Sequence, residues 1–176
     1  MDALPLLRAL FHHQVWAHGE LFDAVALLDP RMHPDEREAA LRLLGHVHVV
    51  ARIFEAHLQG LPHGYDADNT PQTAELDALR SAMAASDRWY LDHLASATPG
   101  QLARRRTFVF TDGDPGCMSG AEMLLHVATH GTYHRAEVGR ILRDAGIVPP
   151  WDTFAVHLHA TQPARRRQAL DATHTA

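Results

Sequence analysis

The sequence predicts an all-α fold, a four-helix bundle, and three observations carry that prediction. Four long stretches repeat their apolar residues at the helical period. Each ends in a glycine or proline stop: Pro30, then Gly60 with Pro62, then Pro99-Gly100, then Gly146 ahead of Pro149-Pro150. The one β-prone run, Thr107 to Phe110, is long enough only for a small extended or hairpin excursion. A chain of 176 residues suits one domain with a sizeable core. Residues 1–162 are expected to form that domain, and the polar stretch 163–176 a frayed tail.

The first helix is expected from about Ala3 to Leu28. Its apolar side carries Leu6, Leu7, Leu10, Val15, Leu21, Phe22, Val25 and Leu28. The second begins near Pro34, a residue suited to a first helical turn, and runs to His57 or Leu58. LPHGYDADNTPQ then reads as a loop. Thr70 and Pro71 read as the cap and first turn of the third helix, which carries Leu76, Leu79, Met83, Trp89, Tyr90 and Leu94. After the Thr107–Phe110 excursion and the turn-rich DGDPG, Ser119 and Glu122 form a capping box that opens the fourth helix. The excursion between the third and fourth helices permits a crossover connection. Trp151 to His159 are expected to add a short final helix against the bundle.

Composition excludes several classes. The net charge is −5, every basic residue is arginine, and basic residues cluster only in Arg104-Arg105-Arg106 and Arg165-Arg166-Arg167. Nucleic-acid binding is therefore not expected. No apolar run approaches the roughly 18 residues of a membrane helix. The N-terminal MDALPLLRALFHHQVW lacks the basic start of a signal peptide, so a cytoplasmic location is the expectation. The single cysteine, Cys117, rules out an internal disulfide.

Histidine is the outlier, at fifteen residues. Placement separates the informative ones. His12, His13, His18, His33, His63, His93 and His174 fall on polar faces or in loops and are expected to be unimportant. His130 and His134 lie one helical turn apart on the stripe Met123, Val127, His130, His134, Val138, Ile141. His46 interrupts a second stripe, Leu43, His46, Val47, Val50, Phe54. Buried imidazoles need partners, and each unsatisfied group costs roughly 1–3 kcal/mol. A shared metal ion would satisfy one nitrogen on each ring and keep coordination positions open for water or substrate. His126 sits one turn before His130. It cannot share an ion with His134, which lies about 12 Å further along the axis. The stripe favours His134 beside His130 and leaves His126 as a core or supporting residue. His48 points away from His46, and His57 lies too far along the helix. Gly131 follows His130, so the glutamate of a zinc-protease HExxH motif is absent.

These motifs, FHHQVWAHGEL, LLGHVHVVARIFEAHLQG, the fourth-helix HGTYHR and the closing PPWDTFAVHL, together resemble the DinB/YfiT-like superfamily over nearly the whole chain. The resemblance implies a bundle in which His46, His130 and His134 bind a divalent ion, zinc, nickel or iron. It also implies a homodimer. Ala136 and Glu137 stand where that family often has glycine and glutamine, and Tyr133 where it often has histidine; none of these departures removes a ligand. Glu137 either supports His134 or the metal, or is a solvated or dimer-interface residue. Arg135 is a candidate for binding a substrate carboxylate or phosphate, or for a structural salt bridge. Trp16 lines the pocket or packs in the core.

Characterised branches of the family resemble S-transferases or isomerases that use a low-molecular-weight thiol. The expected function is therefore a metal-dependent enzyme activating such a thiol against an electrophile. Two alternatives stand beside it: a metal-dependent hydrolase, and a non-catalytic metal-bound bundle serving stress response or protein contact. In the last of these, Trp151 and Phe154 are candidate partner-binding residues.

Overall fold

The computed structural model describes residues 3–165. Its elements are α1 (Leu4–Val25), α2 (Pro34–Gln59), α3 (Leu76–Ser96), a short α4 (Pro99–Ala103), strands β1 (Arg105–Val109) and β2 (Pro115–Ser119), α5 (Gly120–Asp144) and α6 (Phe154–Thr161). The expected tail falls outside the described residues from residue 166 onward, and so does His174.

Local chemistry sets most of the boundaries. Asp35 and Glu36 follow Pro34 in the first turn of α2, where acids complement the helix dipole. Gly60 ends α2 at φ +73, a left-handed conformation that side chains resist. Leu61 N–H then donates to Ala56 O at 2.9 Å and Gly60 N–H to His57 O at 3.1 Å, a Schellman motif. Gly146 closes α5 in the same way at φ +76. At the start of α5, Ser119 Oγ accepts from Glu122 N–H, and Glu122 accepts from Ser119 N–H at 2.6 Å. The capping box read from the sequence therefore forms.

Four long helices make a bundle in which α1 faces α3 and α5, and α2 faces the same two helices. Arg8 donates to Leu94 O and Ala95 O, and Asp23 meets Arg80, so α1 and α3 are antiparallel. His46 meets His130 and Phe54 meets His126, so α2 and α5 are antiparallel too. In contrast, α2 and α3 run parallel: Leu41 and Leu44 share a core with Leu76 and Leu79, while Leu58 shares one with Leu94.

That parallel pair corrects the expected position of the crossover. The segment between α2 and α3 must return along the bundle, and it does so against α2 itself. Asp68 O meets His46, Arg42 Nη1 donates to Thr70 O at 2.8 Å, and Thr73 meets Glu38. Thr70 and Pro71 consequently belong to this return, and α3 opens later, behind Glu75. Pro99 likewise opens α4 as well as following α3, with Thr98 and Gln101 as its capping box. The β-prone run pairs antiparallel with β2, Phe108 opposite Gly116.

The interior has two apolar halves. One gathers Leu21, Leu28, Leu44, Met83 and Leu142; the other gathers Phe11, Phe54, Tyr90, Leu94 and Met123. Between them lies a polar waist to which all four long helices contribute. Here His18 Nδ1 meets Asp87 Oδ2 at 2.8 Å, and Gln14 Nε2 donates to the other oxygen of Asp87 at 3.2 Å. His13 and His18, expected on polar faces, are buried. Asp87 covers His18 from α3, and α6 covers His13 with Phe154 and His157.

Candidate metal centre

The three histidines sit at the waist, on the side where α2 meets α5. Antiparallel packing brings His46 opposite the one-turn pair His130 and His134. Ring centroids are 4.8 Å apart for His46 and His130, 4.7 Å for His46 and His134, and 4.6 Å for His130 and His134. Each offers a ring nitrogen within 4.8 Å of the other two. Nitrogens bound about 2.0–2.1 Å from one tetrahedral ion would lie about 3.3 Å apart. The Nε2 atoms of His46 and His130 already lie 3.0 Å apart.

The outer nitrogens are held. His46 Nδ1 lies 2.7 Å from Asp68 O, supplied by the crossover segment. A carbonyl oxygen only accepts, so Nδ1 carries the proton and Nε2 keeps its lone pair. His134 Nδ1 lies 2.5 Å from Glu137 Oε2, and the same reasoning leaves its Nε2 bare. The His46 lone pair faces His130 Nε2 at 3.0 Å, a spacing that a proton or a shared cation must bridge. Burial, then the charges of His134, His46 and His126, hold the pKa of His130 down to about 3. At neutral pH His130 is uncharged, the form that ligates. This donor set fits a divalent ion: three half-buried imidazoles, two of them held through their outer nitrogens.

The remaining sequence candidates divide. His126 lies against His130, rings 5.4 Å apart and near parallel, with Phe54 on it at 4.6 Å. It supplies no ligand nitrogen to the cluster. Glu137 stands on His134, within the one-turn reach that the sequence suggested. Arg135 and Trp16 point to partners other than the three histidines, Arg135 into a buried ion pair and Trp16 toward α6. The Arg135 side chain is 1% exposed; Nε donates to Asp152 Oδ2 at 2.6 Å, and Nη2 donates to Thr132 Oγ1. Trp16 points toward α6, its ring on His157 at 5.4 Å and on His13 at 6.0 Å.

A model of the DinB family matches residues 3–168. The chain belongs to the DinB family. No curated protein and no solved structure matches it. In this DinB chain the sequence reading overlooked two features: the crossover carbonyl at Asp68 and the buried cluster of His13, Arg135 and Asp152. The first has no side-chain signature. For the second, the sequence offered a structural salt bridge for Arg135 but not its partner, because Asp152 lies 17 residues further on.

Proposed function

We propose that this DinB chain is a metal-dependent enzyme that activates a low-molecular-weight thiol for attack on an electrophile, an S-transferase-type reaction. The carrying observation is the convergence of His46, His130 and His134 with the outer nitrogens of His46 and His134 held by Asp68 O and Glu137. A divalent ion held there supplies positive charge that favours thiolate over thiol at neutral pH. His46, His130 and His134 would hold the ion, one ring nitrogen from each. Glu137 keeps the proton of His134 on Nδ1 and so keeps Nε2 available. The His126 ring, backed by the buried Phe54, packs beside His130 and supports its position.

Hydrolysis is the weaker reading, for a specific reason. It requires a general base beside the bound water. The two carboxylates near the centre, Glu137 and Asp68, both lie on outer ring nitrogens, at 2.5 Å and 3.8 Å. Neither stands beside the Nε2 atoms through which His46 and His130 meet.

Elemental analysis of tag-free protein tests the foundation, with wild type beside His130→Ala. One divalent ion per chain in the wild type, lost in a folded variant, is expected. Cobalt-substituted protein then reports thiol binding through a thiolate-to-metal charge-transfer band. Metal without any such band across a panel of small thiols would remove the transferase reading and favour the non-catalytic one.

A further inference from the structure

The protein is net negative, yet one cleft of about 850 Å³ has arginines as its only charged lining. It lies between the end of α2, with the turn that follows, and β1. Arg104, Arg105 and Arg106 come from the strand side, and His57 and His63 from the other. Among the described residues none of these three guanidiniums joins an ion pair. Arg106 reaches only the carbonyl of Arg104, at 3.4 Å. The charge of Arg105 is felt by Glu122, whose carboxylate is already held by the α5 cap. Three consecutive cations at the start of β1, with no ion-pair partner among the described residues, make a local positive potential in an acidic molecule.

The wall beside them is aromatic. Phe108 stacks on His57 with ring centroids 4.3 Å apart and planes within 26°. His63 meets His57 edge-on at 5.3 Å. Gly116 makes this possible, since a Cβ there would fall 2.6 Å from the Phe108 ring. His57 Nε2 is buried without a hydrogen-bond partner. Burial holds the pKa of His57 down, so its ring is an uncharged surface at neutral pH. The rings of Phe54 and His126 stand between this wall and His130, which separates the cleft from the three-histidine centre.

We propose that this cleft binds a small organic anion, a phosphate or carboxylate carried on a flat ring. Planar guanidiniums grip such groups through paired hydrogen bonds. The ring lies against the wall of Phe108, His57 and His63 in offset or edge-on contact. The site needs no metal at His46, His130 and His134.

Calorimetric titration of the full chain at low salt with phenyl phosphate, benzoate and benzyl alcohol tests it. Either anion is expected to bind with one-to-one stoichiometry, and the tighter one identifies the preferred head group; the neutral alcohol is expected to bind at least about tenfold more weakly. The double variant Arg104→Gln/Arg106→Gln should lose at least about tenfold in affinity. Val109→Glu, which places a negative charge at an exposed position of the cleft without removing a cation, should do the same. Binding should persist in His130→Ala. Loss in His130→Ala with retention in the arginine variant would assign the anion to the metal centre and overturn the proposal. Equal binding of the alcohol, or no binding of either anion, would overturn it as well.

Discussion

At the scale of single residues, the chemistry of the centre is decided by what lies behind the ligands. Glu137 accepts the Nδ1 proton of His134 and raises the basicity of the opposite nitrogen. Glu137→Gln keeps an acceptor oxygen but removes its charge. Metal affinity should fall about 10–100-fold, as competition with a coloured chelator would read. An unchanged affinity would mean that His134 needs no such support. Arg135 tells the complementary story. Its guanidinium is buried and paired with Asp152, which also lies 2.8 Å from His13. Asp152→Ala strands that charge and should destabilise the protein by about 3–5 kcal/mol in urea unfolding. Burial raises the Asp152 pKa, but hydrogen bonds from His13 and Arg135 outweigh it and hold the value at about 2, below the usual 3.8. A depressed carboxylate stabilises the fold above its unfolded pKa. Its contribution should therefore be complete above about pH 4 and fade as pH falls toward 2. Asp152→Asn should flatten this part of the stability profile. The three clustered histidines were legible in the sequence because each interrupts an apolar stripe. Arg135 was not, because its partner lies 17 residues further on, in a segment whose docking onto the bundle has no local signal.

At the scale of elements, α5 carries two of the three clustered histidines, and its start is anchored by one reciprocal cap. Ser119→Ala removes the acceptor for Glu122 N–H and should cost about 1 kcal/mol, measured by thermal or urea unfolding. Loss of metal stoichiometry in that variant would be unexpected, since His130 lies nearly three turns inside the helix. The cap was readable because its chemistry is complete within four residues. Thr70 and Pro71 carried the same kind of signal and did not open a helix. Arg42 of α2 takes the carbonyls of both, at 2.8 Å and 3.3 Å, and holds them in the crossover. Tertiary contact there overrides local propensity, and one consequence is that Asp68 O reaches His46. Half of the hairpin was readable for a similar reason: Thr107 to Phe110 are β-formers, whereas Pro115 to Ser119 become a strand only through pairing.

At the scale of the molecule, two apolar halves are joined through a polar waist, and the proposed ion would cross-link α2 to α5 within it. The family resemblance also implies a homodimer, for which α5 offers the exposed Leu125 and Tyr133. Sedimentation equilibrium should then return about twice the 19.5 kDa chain mass, and Tyr133→Asp should shift it toward the monomer. Among the described residues no helix is long and apolar enough to cross a membrane. The final expectation follows from linkage. A ligand bound only by the native state stabilises it in proportion to the logarithm of its free concentration over Kd, about 4 kcal/mol at a thousandfold excess over Kd. Removing metal with a chelator should therefore lower the melting temperature of the wild type. His130→Ala should melt lower than the metal-loaded wild type and be indifferent to the chelator. Arg104→Gln/Arg106→Gln should respond as the wild type does. A wild type equally stable with and without chelator, at full metal occupancy beforehand, would mean that the ion sits on the surface of the fold and does not tie α2 to α5.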